Sequence, residues 1–409
     1  MSNPPALPPS APRPLPPPAT RPGLPLRAAD LRGLARLAVD GVLGVTDVVE
    51  AMHHTIARRP APLGKAPSGR PGGITGFVYR AVRGGTRVVG AGLDTVLGAL
   101  PLDRHTTTPQ REALIAALNG VFGDHLADSG NPLAIPMQWR VGGQPLRQPP
   151  ADASDRVLVL VHGLAMNDLQ WQRHGHDHGT ALAQALGHTP VWLHYNTGRH
   201  ISQNGRDLAD QLDALLAAWP VPVRELAIVG HSMGGLVARS ACHVGEGRPW
   251  RRALRHLACL GSPHHGAPLE RSGRLADLAL GLSPYAAPLA RLGMARSAGI
   301  TDLRFGNLED ADWQQHPHRH RQHHDDRHPT PLPKGVNVWL VAATRSAHTD
   351  VARLRGDGLV PVASALGEHA DPARSLGVPV SHRLVVPRAG HFDLLDHPEV
   401  FAHLRDWLR

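Results

Sequence analysis

The chain has 409 residues, 42% of them hydrophobic, which is enough for one large buried core and a smaller appendage. Lysine and arginine total 43 against 34 acidic residues, yet no basic stripe interleaved with stacking aromatics appears, so we expect no nucleic-acid partner. Two cysteines, Cys242 and Cys259, are too few for a disulfide framework, and no stretch of about 20 residues is apolar enough to predict a membrane-spanning helix.

The first 26 residues are dominated by proline, and we expect them to form a disordered tail because they cannot build a core. This tail lacks the apolar run and the cleavage site of a secretory signal. We therefore expect a cytoplasmic protein.

A helical segment is predicted over residues 27–130. Apolar residues from Leu34 to Ile56 recur at three- and four-residue steps, a second helical stretch runs from Ile74 to Leu100, and a third from Gln110 to Leu126. The first two helices could pack as a hairpin on the rest of the protein. Alternatively they lie on a membrane with their arginines near phosphates, which would make the protein peripherally membrane-associated.

Residues 131–409 have the alternating pattern of an α/β domain. Strands are predicted at 156–161, 190–195, 226–230, 256–261, 337–343 and 383–386, with an edge strand or hairpin at 137–141 and helices at 180–186, 207–218, 235–243 and from Pro398. This alternation predicts a mostly parallel central sheet with helices on both faces. The alternation is interrupted over 262–335, which we interpret as a cap or lid inserted over the carboxyl ends of the strands.

The strongest motif is Gly-His-Ser-Met-Gly-Gly at 230–235, directly after an apolar strand. A serine on a sharp strand-to-helix turn needs small flanking residues, here Gly230 and Gly234, so that its hydroxyl is exposed above the sheet. Ser232 is therefore the predicted nucleophile. We interpret His231 as a structural residue of this nucleophile elbow.

A nucleophilic serine requires an oxyanion hole, usually built from two backbone N–H groups. The residue after the nucleophile, Met233, supplies the first predicted donor. The second is Leu164, because the strand at 157–161 ends in His-Gly-Leu and a turn there can direct an amide into the site.

The acid and the base of this type of site follow the nucleophile in the order Ser, Asp/Glu, His. Asp357 lies in a Gly-Asp-Gly turn after the strand at 337–343, and His391 follows the strand at 383–386. We predict Asp357 as the orienting acid and His391 as the base. Asp350 and Asp393 are competing acids, although Asp350 lacks flanking turn glycines and Asp393 follows the histidine.

These motifs together resemble a known group of enzymes. They are His-Gly-Leu at 162–164, the serine motif at 230–235, Leu-Gly-Ser-Pro-His-His-Gly-Ala-Pro at 260–268, Asp-Gly-Leu-Val-Pro at 357–361 and Gly-His-Phe at 390–392. Residues 156–409 are similar to bacterial lipase/esterase α/β-hydrolases, and most similar to the branch that resembles the GPI inositol-deacylase (PGAP1-like) hydrolase domain. The resemblance implies an α/β-hydrolase fold and ester hydrolysis by a small-molecule or lipid-ester hydrolase.

Such a reaction needs neither a metal nor an organic cofactor, so we expect none. The same acyl-enzyme could instead serve an acyltransferase or a thioesterase, and a catalytically silent membrane-associated scaffold is the alternative outside the enzymes. Two histidine-rich stretches, His316–His328 and the cluster His174, His176 and His178, are interpreted as a surface insert and as loop residues near the mouth of the site. Tyr195 to Gly198 are expected to line the pocket or to form a turn.

Overall fold

The computed structural model describes residues 27–58, 73–99, 108–267, 297–314, 325, 327–347 and 356–409. The proline-rich tail, most of the histidine-rich insert and a large part of the predicted cap at 262–335 lie outside these residues. Asp350 lies outside them as well.

The sheet has eight strands: β1 (Gln138–Val141), β2 (Gln144–Pro145), β3 (Arg156–Val161), β4 (Thr189–His194), β5 (Glu225–His231), β6 (Leu254–Leu260), β7 (Asn337–Thr344) and β8 (Arg383–Pro387). Their order is β2-β1-β4-β3-β5-β6-β7-β8. The β1–β2 hairpin is antiparallel at one edge, and β4, β3, β5, β6, β7 and β8 pair in parallel. The predicted α/β-hydrolase architecture is confirmed.

Strand β3 shows how the two faces of the sheet acquire their cores. Val157, Val159 and Val161 point into one apolar cluster, and Leu158 and Leu160 point into the other. Successive side chains of a strand alternate between faces, so a strand covered on both faces is apolar at every position. This is why the continuous run at 157–161 predicted a buried strand.

Helices cover both faces of the sheet. The long helices of the α/β region are α4 (His178–Leu186), α5 (Ile201–Ala217), α6 (Met233–Val244) and a C-terminal helix (Pro398–Trp407), with short helical turns at Ala298–Asp302, Ala311–Gln314 and Val362–Ala365. Leu208 of α5 and Leu236 of α6 belong to one core, whereas Leu182 of α4 and Leu404 of the C-terminal helix belong to the other.

Helix α5 begins six residues before the predicted start at residue 207. Its first turn carries polar side chains that have tertiary partners: Ser202 Oγ donates to Asp310 at 2.6 Å, and Asn204 Nδ2 donates to the Asn196 carbonyl at 2.9 Å. The sequence shows no apolar helical period over this turn, because the side chains buried on its inward face are polar.

The N-terminal segment comprises α1 (Ala28–Arg58), α2 (Gly73–Ala99) and α3 (Pro109–Asp128), and α1 packs against α2. Helix α3 contacts the α/β region directly, since Asn196 Nδ2 donates to the Gly123 carbonyl at 2.7 Å and Ser297 Oγ donates to the Gly120 carbonyl at 2.6 Å. Within the described residues, none of the helices combines the length and the apolar character that crossing a bilayer requires.

The glycine at 234 permits a close approach of α6 to the end of β3. A Cβ atom there would lie well inside van der Waals contact of the Val161 and His162 carbonyl oxygens. Because backbone atoms cannot yield as a flexible side chain can, we expect Gly234→Ala to lower the free energy of unfolding by about 3 kcal/mol in urea titrations.

The matched control is Gly44→Ala, since a Cβ at Gly44 in α1 would meet no atom within 4 Å. Alanine has the higher helix propensity, so this variant should be as stable as the wild type or more stable. Equal stability of the Gly234 variant and the wild type would contradict the packing argument.

Candidate active site

Ser232 occupies a strained turn between β5 and α6. Its backbone has φ 54° and ψ −123°, a conformation that L-residues rarely adopt and that is typical of a serine at a strand-to-helix elbow. Gly230 must be small here, because a Cβ atom on it would lie 2.5 Å from the Gly235 nitrogen. The predicted elbow residues thus form one tight turn.

The turn leaves the serine more accessible than its neighbours. His231 and Met233 are fully buried, whereas Ser232 is half-buried. Met233 is the first residue of α6, so its N–H has no acceptor within the helix, and the helix N-terminus favours negative charge beside it. These are the properties that the first predicted oxyanion donor requires.

The loop after β3 lies against this turn. A Cβ atom on Gly163 would be 3.0 Å from Ser232 Cβ, so the loop backbone passes directly beside the serine. The next residue, Leu164, is the second predicted donor, and its N–H makes no hydrogen bond with any described part of the chain. Its role stays a prediction.

Thr197 holds the loop in this position. Its Oγ1 accepts a hydrogen bond from the Ala165 N–H at 3.0 Å, and Ala165 has a φ of 56°. Below the loop, the Tyr195 ring stacks on His162 with 4.5 Å between centroids, and its hydroxyl donates to the His162 carbonyl. Tyr195 to Gly198 are buried, so they support the loop instead of lining an open pocket.

Asp357 and His391 form a buried pair. His391 Nδ1 lies 2.7 Å from Asp357 Oδ2, and Asp357 Oδ1 accepts the N–H groups of Leu359 and Val360 at 2.8 Å each. Burial opposes ionisation of Asp357, but the neighbouring imidazole and these hydrogen bonds outweigh it and lower the pKa of the carboxyl. The carboxylate is therefore ionised at neutral pH and can orient the imidazole.

The competing acid Asp393 has another function. Its Oδ2 accepts the Gly390 N–H at 2.8 Å, which fixes the turn that precedes His391, and its Oδ1 faces Arg173 at 3.4 Å. Of the two acids that the structure describes, only Asp357 is hydrogen-bonded to the imidazole.

Further contacts place the His391 loop beside the serine turn. His231 Nε2 donates to the His391 carbonyl at 3.1 Å, and the two imidazole centroids are 4.8 Å apart. A Cβ atom on Gly261, at the end of β6, would lie 3.2 Å from the His391 ring. The structure has no hydrogen bond between Ser232 Oγ and His391 Nε2.

Sequence reasoning did not single out Thr197 or Gly261. Thr197 lies within the segment interpreted as pocket or turn, and its contact with Ala165 joins residues 32 positions apart. The Leu-Gly-Ser at 260–262 was noted only as part of the resemblance. A glycine directly after a buried strand was the one available signal of the close approach to His391.

The cluster at 174–178 packs on residues 394–401, which follow His391 in the chain. His178 begins α4, and its Nε2 contacts the Leu394 carbonyl at 3.0 Å, while its Nδ1 contacts His176 at 2.8 Å and its ring stacks on Phe401. The interpretation of His178 as a loop residue is therefore wrong. Across the described ranges, no group of three or more His, Cys, Asp or Glu is arranged to hold a metal ion.

Two histidines of the site are buried, and neither forms an ion pair with a described residue. Burial lowers the pKa of both His162 and His231 to about 3, so both rings are neutral at ordinary pH. Because His231 Nε2 donates to the His391 carbonyl, its Nδ1 carries no proton. A neutral His231 fits the structural role that the elbow motif predicted.

Comparisons with known proteins agree with this architecture. A family model described as the PGAP1-like alpha/beta domain matches residues 152–311, which confirms the resemblance indicated by the motifs. No curated protein sequence matches the chain.

Similar solved structures include a lipase and an esterase. The mature Bacillus licheniformis lipase BlEst2 is 19% identical, with 66% of this chain and 97% of that chain covered and a TM-score of 0.43. The Pyrococcus furiosus esterase Pf2001 is 13% identical, with coverages of 64% and 84% and a TM-score of 0.37.

The neutral His162 makes stability dependent on pH. Its pKa falls from 6.5 to about 3 on folding, so below pH 6.5 the unfolded chain takes up a proton that the folded chain does not. The free energy of unfolding therefore decreases as the pH is lowered from about 6.5 to 3. One such histidine lowers this free energy by about 2 kcal/mol between pH 7 and pH 5. His162→Asn should remove this share of the pH dependence in urea titrations at the two pH values. Parallel losses in wild type and variant would contradict the assignment.

Proposed function

We propose that the protein hydrolyses carboxylic esters through an acyl-enzyme formed on Ser232. One observation carries the proposal: a half-buried serine lies on a strained turn whose His231 contacts the His391 backbone, and His391 is hydrogen-bonded to a buried, ionised Asp357. A structural serine has no need of such a turn, whereas a nucleophile does.

The proposed reaction begins when Ser232 Oγ attacks the ester carbonyl carbon and its proton passes to His391 Nε2. The oxyanion that forms is stabilised by the N–H groups of Met233 and Leu164. Collapse of the intermediate breaks the bond to the alcohol oxygen, which takes the proton from His391. A water molecule, deprotonated by the same nitrogen, then attacks the acyl carbon. Collapse of this second intermediate breaks the bond to Ser232 Oγ, which takes the proton back from His391, and the acid is released.

Asp357 orients the base in this scheme. It accepts the Nδ1–H of His391, so Nε2 is the nitrogen of the neutral ring that can take a proton from the serine hydroxyl. The positive charge that His391 acquires in each transition state is compensated by this carboxylate. A rotation of the Ser232 or His391 side chain on substrate binding would close the missing hydrogen bond, as is common for catalytic contacts in free enzymes.

An apolar acyl ester is the substrate class that the surroundings favour. The Met166 sulfur lies within 3.3 Å of a Cβ position on Gly163, and the Phe392 ring centroid is 5.9 Å from that of His231. Together with the buried Leu164 these side chains make the environment of the serine turn apolar, which suits an acyl chain.

We expect Ser232→Ala to abolish labelling by a fluorophosphonate probe and hydrolysis of p-nitrophenyl esters. Asp357→Asn should lower kcat by about 10⁴-fold with the fold intact, because an amide favours the wrong imidazole tautomer. The matched control is Asp393→Asn, which removes a carboxylate two residues after His391 without touching the His391 ring. Its amide oxygen can still accept the Gly390 N–H, so this variant should keep most of the activity.

Three outcomes would redirect the proposal. Comparable losses in the Asp357 and Asp393 variants would indicate general damage to the surroundings of His391. Labelling without hydrolysis, followed by acyl transfer to an added alcohol or thiol, would favour an acyltransferase. No labelling of the folded wild type would favour the non-catalytic scaffold.

Thr197 is proposed as a positioning residue. In Thr197→Val the Ala165 N–H loses its acceptor, the loop bearing Leu164 shifts, and kcat should fall about 10- to 100-fold with little change in KM, since the oxyanion is stabilised only in the transition state. Thr197→Ser keeps the hydroxyl and should restore most of kcat. A rise in KM alone, or no rescue by serine, would exclude this role.

A further inference from the structure

Helix α2 exposes an unusual amount of apolar surface. Its large exposed side chains are Phe77, Val78, Val82, Val88, Val89 and Leu93. Phe77 is 65% exposed, Val88 73% and Val89 61%. Single exposed apolar residues are normal in proteins, but a contiguous set of them usually marks an interaction site.

These six side chains lie on one face of the helix. At about 100° per residue, positions 77, 78, 82, 88, 89 and 93 fall within an arc of about 160°. The small residues Ala81, Gly85 and Gly92 occupy the same arc and are also exposed. We call this arc the α2 face.

The opposite side of α2 is the side that packs on α1. Arg83 is buried there and pairs with Asp47 at 2.8 Å and with Glu50, and Asp94 pairs with Arg32 and Arg36 at 2.6 Å each. A surface helix of a globular protein normally turns its apolar stripe inward. In this hairpin the polar stripe is turned inward and the α2 face is left outward.

The charges beside the α2 face are positive. Arg80 and Arg87 are exposed on the flank between this face and the α1 contact, and neither forms an ion pair within the described part of the chain. The helix carries no acidic residue before Asp94, which is neutralised by its two arginine partners. The long arginine side chains can therefore reach an anionic layer next to the apolar face.

We propose that the α2 face lies on the surface of an anionic phospholipid bilayer, with its apolar side chains among the acyl chains and with Arg80 and Arg87 at the phosphates. This arrangement matches the physical requirements of an interfacial helix. A second copy of the chain is the competing occupant of this face, and the experiment below distinguishes the two.

The consequence for the molecule is a defined attachment side. Helix α1 contacts α3 through Asp30, which pairs with Arg111 at 2.5 Å, and α3 contacts the region of Thr197 and Asn196 behind the serine loop. The bilayer-bound helix is thus connected to the catalytic region by packed helices. The inference concerns attachment and does not depend on the proposed ester hydrolysis.

The test is sedimentation of the full chain with vesicles of phosphatidylcholine alone and of phosphatidylcholine mixed with phosphatidylglycerol. Wild type should bind the anionic vesicles more tightly, and added salt should weaken the binding. Val88→Asp should lower the partition coefficient by about tenfold or more, because it places a charge in the middle of the apolar face.

The matched control is Val380→Asp, which makes the same chemical change at a valine that is 83% exposed outside α2. It should bind as the wild type does. Arg80→Gln with Arg87→Gln should remove the preference for anionic vesicles while binding to phosphatidylcholine persists. Both Val88→Asp and the arginine variant should hydrolyse a soluble short-chain ester at the wild-type rate.

Failure of this inference can be distinguished from failure of the proposed function. Ser232→Ala should bind vesicles as the wild type does, whether or not the wild type hydrolyses esters. The inference is overturned if the folded wild type does not bind vesicles, or if Val380→Asp weakens binding as much as Val88→Asp. It is also overturned if light scattering shows a dimer that Val88→Asp dissociates, because the α2 face would then be a contact between copies.

Discussion

The arrangement of the site depends on how closely α6 approaches the end of β3. Gly234 leaves no side chain between the helix and the Val161 and His162 carbonyl groups, so the helix N-terminus lies directly over the sheet. The chain can enter this helix only through a sharp turn, and Ser232 adopts its positive φ there. Backbone strain of this kind persists only where the surrounding packing imposes it. Here the packing is that of the two apolar cores on the faces of the sheet.

The loops around the serine are held by hydrogen bonds between distant segments. Thr197 fixes the loop after β3, Asp393 fixes the turn before His391, and His231 contacts the backbone of His391. The rings of His162 and His231 are neutral and fill space beneath the loops. Buried polar groups of this kind are favourable only when most of them are hydrogen-bonded, which makes the loop geometry specific.

The N-terminal helices are attached by buried charges. Arg111 of α3 pairs with Asp30 and Glu112, and Glu112 also pairs with Arg140 of β1, which contacts Asp168 at 3.2 Å. Buried charges are costly unless each has a partner, so such a network selects one arrangement of α1 and α3 against the sheet. With α1 held in this way, its polar contacts with α2 determine which side of α2 faces outward.

Sequence alone determined the parts of this protein that depend on near neighbours in the chain. Side-chain alternation and turn sterics act over a few residues. The sequence therefore reveals the apolar run of β3 and the glycines around Ser232 and Asp357. Tertiary structure decided the rest: the contact of Thr197 with Ala165, the early start of α5, and the outward direction of the α2 face. Each of these depends on contacts between residues far apart in the chain. An amphipathic pattern predicts an apolar face, but it does not identify the surface against which that face packs.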